Sequence, residues 1–181
     1  HLDHAGVSIR SPAHPSITHT MTVALGHRGS PLPFTGMQTE PPSSPQRGPL
    51  RWSRTPRLHR PIIVAAFEGW NDAGDAASTA VRHIRDRLHA RPFAEIDPEE
   101  FFDFTSTRPI VELVDGHTRR ITWPTTELAA NDGDGVGSVV TLIGHEPQLK
   151  WRTFCETVLT VARAVDARMV VVLGALLAEV A

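Results

Sequence analysis

A single cysteine, Cys155, leaves no partner for an internal disulfide and fits a reducing compartment. Tyrosine is absent, and one lysine, Lys150, stands beside 17 arginines, a bias that reads as nucleotide composition of the source. The longest apolar run, Met169 to Ala178, is about half of what a membrane-spanning helix needs, so no span and no membrane partner is expected. The first residues lack a charged segment followed by an apolar core and a small-residue cleavage site; no secretory signal is expected, and the expected location is cytoplasmic. There is no GxxxxGK[ST], GxGxxG, HExxH or CxxC, so neither a cofactor nor a metal is expected.

What is present divides at about Arg60. Residues 1–60 hold 9 of the 15 prolines and 6 of the 10 histidines, with seven arginines against Asp3 and Glu40, a formal charge of +5. The rest carries 18 acids against 11 bases, or −7. The basic part is too sparse in clustered Arg and too poor in aromatics for nucleic acid. It shows neither helical nor alternating periodicity, and Pro41-Pro42-Ser43-Ser44-Pro45 sustains no helix or inner strand, so 1–60 is expected to be a disordered Pro/His/Ser-rich segment. Because the sequence opens on His1, the natural start is expected upstream, or at Met21 or Met37.

Residues 61–181 read as one α/β domain, organised around Pro61 to His89. Ile62 to Phe67 is an uninterrupted apolar run, the pattern of a strand covered on both faces. From Asp72 onward, Ala73, Ala77, Ala80, Val81, Ile84 and Leu88 form one helical stripe. Phe93 to Ile96 reads as a short strand and Phe101 to Phe104 as a packed aromatic patch. Pro109 to Val114 and Thr118 to Trp123 are joined through Asp115-Gly116, a type I′ hairpin signal that sets Glu112 opposite Arg119 and Ile110 opposite Ile121. Asn131 to Gly137 reads as a flexible loop without the closing Glu of a calcium loop.

Ser138 to Ile143 is a second buried strand. A helix follows from about Pro147, with Trp151, Phe154, Cys155, Val158 and Leu159 on its apolar stripe, which makes Cys155 a core residue. Arg168 to Leu173 is a third buried strand. The order predicts a three-layer α/β/α fold, a mainly parallel sheet with an antiparallel hairpin excursion, and one edge where all three loops meet.

That edge carries the candidate binding residues Glu68, Trp70, Asn71, Asp72, Gly74, His145, Glu146, Lys150, Trp151 and Arg152, with no catalytic residue assigned. Asp72 reads as a helix N-cap, with Asp75 favouring the first-turn amides. Glu68 and Asn71 cap no obvious element. Lys150 and Arg152 oppose the macrodipole of their helix by about 0.3 to 1 kcal/mol each. Either a bound anion or pairing with Glu146 or Glu156 offsets this. Trp70, Trp123 and Trp151 stand at element ends, where large aromatics close a pocket or fill a subunit interface.

Four stretches, FEGWNDAGDAAS, FDFTSTRPIVELVDGHTRRITWP, LIGHEPQLKWRTFCETVL and VVVLGALLAEV, together resemble the proteasome assembly chaperone family in its actinobacterial branch, from Pro61 to Val180. The resemblance implies a nucleoside phosphorylase-like α/β/α domain, a non-catalytic protein-binding role in assembling proteasome α-subunits, and a homo-oligomer. Some bacterial members carry a loose ATP-grasp label, which implies the alternative of a small-molecule or nucleotide-binding enzyme using Glu68, Asn71 and Glu146. Members of the family continue past this motif while the sequence stops at Ala181, so the chain is expected to be C-terminally incomplete. Eukaryotic relatives dock through a hydrophobic-tyrosine-any-residue tail, which a chain without tyrosine does not have.

Overall fold

The computed structural model describes residues 4–10, 18–25, 48–132 and 138–178. Its strands in chain order are β1 (His4–Arg10), β2 (Thr18–Leu25), β3 (Leu50–Trp52), β4 (Ile62–Glu68), β5 (Arg91–Ile96), β6 (Ile110–Val114), β7 (Thr118–Thr122), β8 (Thr126–Ala130), β9 (Val139–His145) and β10 (Met169–Ala178). Two helices, α1 (Ala76–Arg87) and α2 (Trp151–Ala164), complete the α/β domain. One sheet has the order β1-β2-β10-β4-β9-β8-β5-β3, and β6 and β7 form a separate hairpin.

Among the described strands, β10–β4 and β4–β9 run parallel, whereas β1–β2, β2–β10, β9–β8, β8–β5 and β5–β3 are antiparallel. The sheet is therefore mixed, where the sequence pattern predicts a mainly parallel one. The three parallel strands are those with unbroken apolar runs, and the sequence gives no comparable signal for β8, whose threonine and glutamate hide a strand buried mainly through Leu128, Ala129 and Ala130.

Side-chain alternation on β4 sorts the core. Ile63, Ala65 and Phe67 pack in the larger cluster with Phe154 and Val161 of α2, whereas Val64 and Ala66 pack with Ala77 and Val81 of α1. Phe93, Phe101 and Phe102, all buried, extend the larger cluster, and the Phe101 and Phe154 rings meet edge to face at 5.2 Å. Both helices close with a non-glycine residue in the left-handed region, His89 after α1 and Asp166 after α2, where the amides of Ala90 and Ala167 reach back to the Arg85 and Ala162 carbonyls.

Within residues 1–60, for which the sequence shows no periodicity, the described residues include β1, β2 and β3. β3 pairs with β5, Leu50, Trp52 and Leu58 pack against the core, and Trp52 lies 5.5 Å from Phe93 between ring centroids. Arg54 grips both oxygens of Asp132 at 2.7 and 2.9 Å and the Arg91 and Ala130 carbonyls. Residues 50–58 thus pack with the α/β core, and what disguises this in the sequence is their proline and the short length of β3. The flexible-loop expectation for Asn131 to Gly137 lies outside the described residues from 133 onward.

The hairpin is slipped by one residue from the predicted register: Glu112 faces Arg120, Val111 faces Ile121 and Ile110 faces Thr122. Asp115 and Gly116 adopt the left-handed conformations of a type I′ turn, φ 55° and 73°, but pairing resumes at Val114 and Thr118, leaving His117 as an extra loop residue. The slip gathers Val111, Leu113 and Ile121 on one face.

Candidate functional site

The parallel strands β4 and β9 end together, Glu68 pairing with His145, whereas β10 runs on to Ala178 beside β2, so the third turn that the sequence predicts after Leu173 is strand instead. Glu68 and His145 are register partners at the last positions of β4 and β9, so both side chains leave the same face, the one covered by α1. Arg82 of α1 bonds one Glu68 oxygen, and His145 Nδ1 stands 3.1 Å from the other. The His145 ring stacks edge-on with Phe102 at 6.1 Å. Arg108, Ile110 and Trp123 close the far side, giving an open cleft of about 210 Å³ over the Glu68, Arg82 and His145 cluster.

Close backbone contact makes this arrangement possible. A Cβ at Gly144 would collide with the Thr126 hydroxyl, and the backbone Cα of Thr126 lies 2.9 Å from the same point, so β8 and β9 approach only because residue 144 has no side chain. Thr126 is fully buried and its hydroxyl has no hydrogen-bond partner among the described residues.

The other candidates are distributed around the edge. The Asn71 amide lies against the backbone of Gly174, and the Ala175 amide donates to the Asn71 carbonyl at 2.9 Å, which fastens the β4–α1 loop to β10. Asp72 is buried, and its Oδ1 accepts from the amides of Ala77 (2.7 Å) and Ser78 (3.1 Å). It thus caps the helix in function, although α1 itself starts at Ala76, after a 3-10 turn (Ala73–Asp75) with Gly74 at φ 63°. Asp75 sits in the left-handed region and makes no side-chain cap, contrary to the expectation for it. Trp70 is 82% exposed.

On the opposite face, Glu146, Pro147, Trp151, Cys155 and Leu159 border an apolar slot of about 300 Å³ between α2 and β10. Cys155 is exposed there and is not a core residue, because the buried stripe of α2 runs through Phe154, Thr157, Val161 and Ala162 and leaves Cys155 on its flank. Lys150 precedes α2 at φ 48° and pairs with Glu100 at 2.9 Å instead of Glu146 or Glu156. Arg152 is exposed and has no ion pair among the described residues. The structure therefore brings Glu68 and His145 together, sets Glu146 and Trp151 in a second place, and holds Asn71 and Asp72 in the framework.

Sequence reasoning missed Arg82 and Arg108, which complete the cleft. Arg82 follows Val81 on the polar side of the α1 stripe, a signal shared with every other arginine there. The carboxylates held below their usual range lie elsewhere: Asp97 by the Glu99 amide and Arg51, Asp103 by the Thr105 hydroxyl and amide, and Asp132 by Arg54. Among the described residues no three His, Cys, Asp or Glu side chains are placed to hold a metal, and no helix is long and apolar enough to cross a membrane.

The profile of the PAC2 family matches residues 66–180. Among solved structures, a PAC2 family protein from Streptomyces avermitilis is 46% identical over 59% of this chain and 46% of its own, with a TM-score of 0.55. A proteasome-assembly chaperone homologue from Mycobacterium tuberculosis is 43% identical over 59% of this chain and 45% of its own, also at 0.55. A second M. tuberculosis protein, of unknown function, is 27% identical over 71% and 47%, at 0.59. The match thus spans just under half the length of these relatives. No curated protein is similar enough to count as a match. With the family profile covering well over half of its residues, the chain belongs to the PAC2 family.

Proposed function

We propose that this chain is a non-catalytic protein-binding domain that assists assembly of proteasome α-subunits and works as a homo-oligomer in the cytoplasm. The observation that carries the reading is the distribution of exposed apolar side chains. On the hairpin, Val111, Leu113 and Ile121 share one face and are 58%, 65% and 55% exposed. At the element ends Trp70, Trp123 and Trp151 are exposed too. Groups of this kind on a soluble surface mark interfaces, in which tryptophan anchors carry much of the energy. The similarity to a proteasome-assembly chaperone homologue supports the choice of partner. The finer architecture that goes with this reading is the three-layer, nucleoside phosphorylase-like arrangement, which the packing of α1 and α2 against alternate residues of β4 supports.

Enzymatic use of Glu68, Asn71 and Glu146 finds less support. Asn71 packs on Gly174, and Glu146 borders a slot on the other face from Glu68. Co-expression with proteasome α-subunits of the same source tests the proposal. The wild-type chain is expected to retain α-subunits on affinity resin, and Trp70→Ala or Trp151→Ala to weaken retention by about 2 kcal/mol or more where the tryptophan is an anchor. A wild-type chain that neither retains an α-subunit nor self-associates removes the reading.

A further inference from the structure

We propose that the cleft at the ends of β4 and β9 receives one carboxylate, presented by an acidic side chain of a protein partner; the choice of a protein source rests on the binding role proposed above. Two arginines and a histidine face this cleft, Arg82, Arg108 and His145, against one carboxylate, Glu68. Glu68 is fully engaged, with Arg82 on one oxygen and His145 Nδ1 on the other. Arg108 donates its Nε to the Thr105 carbonyl at 3.2 Å and meets no carboxylate among the described residues. Its terminal nitrogens are therefore available for the paired hydrogen bonds by which a guanidinium recognises a carboxylate.

Size and charge select the ligand class. The cleft's volume of about 210 Å³ falls below the roughly 300 to 1,000 Å³ of ordinary small-molecule sites. It suits one side chain. With Glu68 paired to Arg82, the uncompensated charge amounts to a single guanidinium, which one carboxylate matches and the several negative charges of a nucleotide exceed. Ile110 and Trp123, 63% and 51% exposed on the cleft wall, would cover the methylenes of a glutamate while its head group reaches Arg108.

The full chain can be titrated with acetyl-Leu-Glu-amide and with acetyl-Leu-Gln-amide, following the arginine Nε–H and histidine ring signals by NMR. A saturable response to the glutamate peptide is expected, weaker by about tenfold for the glutamine peptide, which keeps one acceptor oxygen but loses the charge and the paired hydrogen bonds. Arg108→Gln should abolish the preference and Arg108→Lys should restore part of it. Equal responses to the two peptides in the wild-type chain overturn the proposal whether or not the variants fold. Glutamate-selective binding by a chain that retains no α-subunit leaves the cleft chemistry standing and removes the functional reading. Retention of α-subunits without glutamate selectivity does the reverse.

Discussion

Asp72 shows how one side chain can hold a loop and a helix at once. It is 4% exposed, and one oxygen serves two amides of α1 while the other has no partner among the described residues. Asp72→Ala leaves two buried amides without an acceptor and should lower stability by about 1 to 2 kcal/mol in urea unfolding. Asp72→Asn keeps the accepting oxygen and should cost clearly less. Gly144 makes the complementary point about space. Gly144→Ala pushes a methyl against the backbone of Thr126, which cannot rotate away, and should cost about 1 to 3 kcal/mol by the same measurement. Nothing in the run Thr141-Leu142-Ile143-Gly144 announces this contact, because the colliding residue is 18 positions earlier on a strand the sequence pattern does not reveal.

At the scale of elements, the Arg54–Asp132 clasp ties the segment before β4 to the end of β8. Arg54 holds the Asp132 carboxyl below its usual range. A carboxylate whose folded pKa is depressed stabilises the fold fully above its unfolded value, about 3.9, and loses that contribution as pH falls through the folded value. Asp132→Asn should therefore lower Tm at neutral pH, and the gap from wild type should shrink progressively below about pH 4. A gap independent of pH would show that the clasp acts through shape alone. The legible elements were those with a repeating apolar signal: β4, β9, β10 and the stripes of α1 and α2. β3 and β8 escaped because a three-residue strand has no period, and because Thr126 and Glu127 interrupt the apolar count of β8. Hairpin existence was written in Asp115-Gly116, but its register depended on whether His117 joins the loop, which local sequence does not decide.

Across the whole molecule, the loop edge was half legible. Parallel β4 and β9 do bring their carboxyl ends together, and Glu68 and His145 meet there, while β10 continues past them to Ala178 because β2 pairs with its extension. Alternation along β9 then sends His145 and Glu146 to opposite faces, so Glu146 joins Trp151 of α2 at the α2 slot while Glu68 and His145 border the α1 cleft. Proximity in sequence, as between His145 and Glu146, is thus a poor guide to sharing a site. What the two faces have in common is exposed apolar surface beside isolated charge, a composition suited to binding protein chains. The proposed assembly role is tested most directly by following ring formation from purified proteasome α-subunits on native gels, with and without stoichiometric chain. The account predicts earlier or more complete rings with the wild-type chain, and a smaller effect with Trp70→Ala and Trp151→Ala. Ring formation that proceeds identically with and without the chain, at concentrations where both are folded, would contradict it.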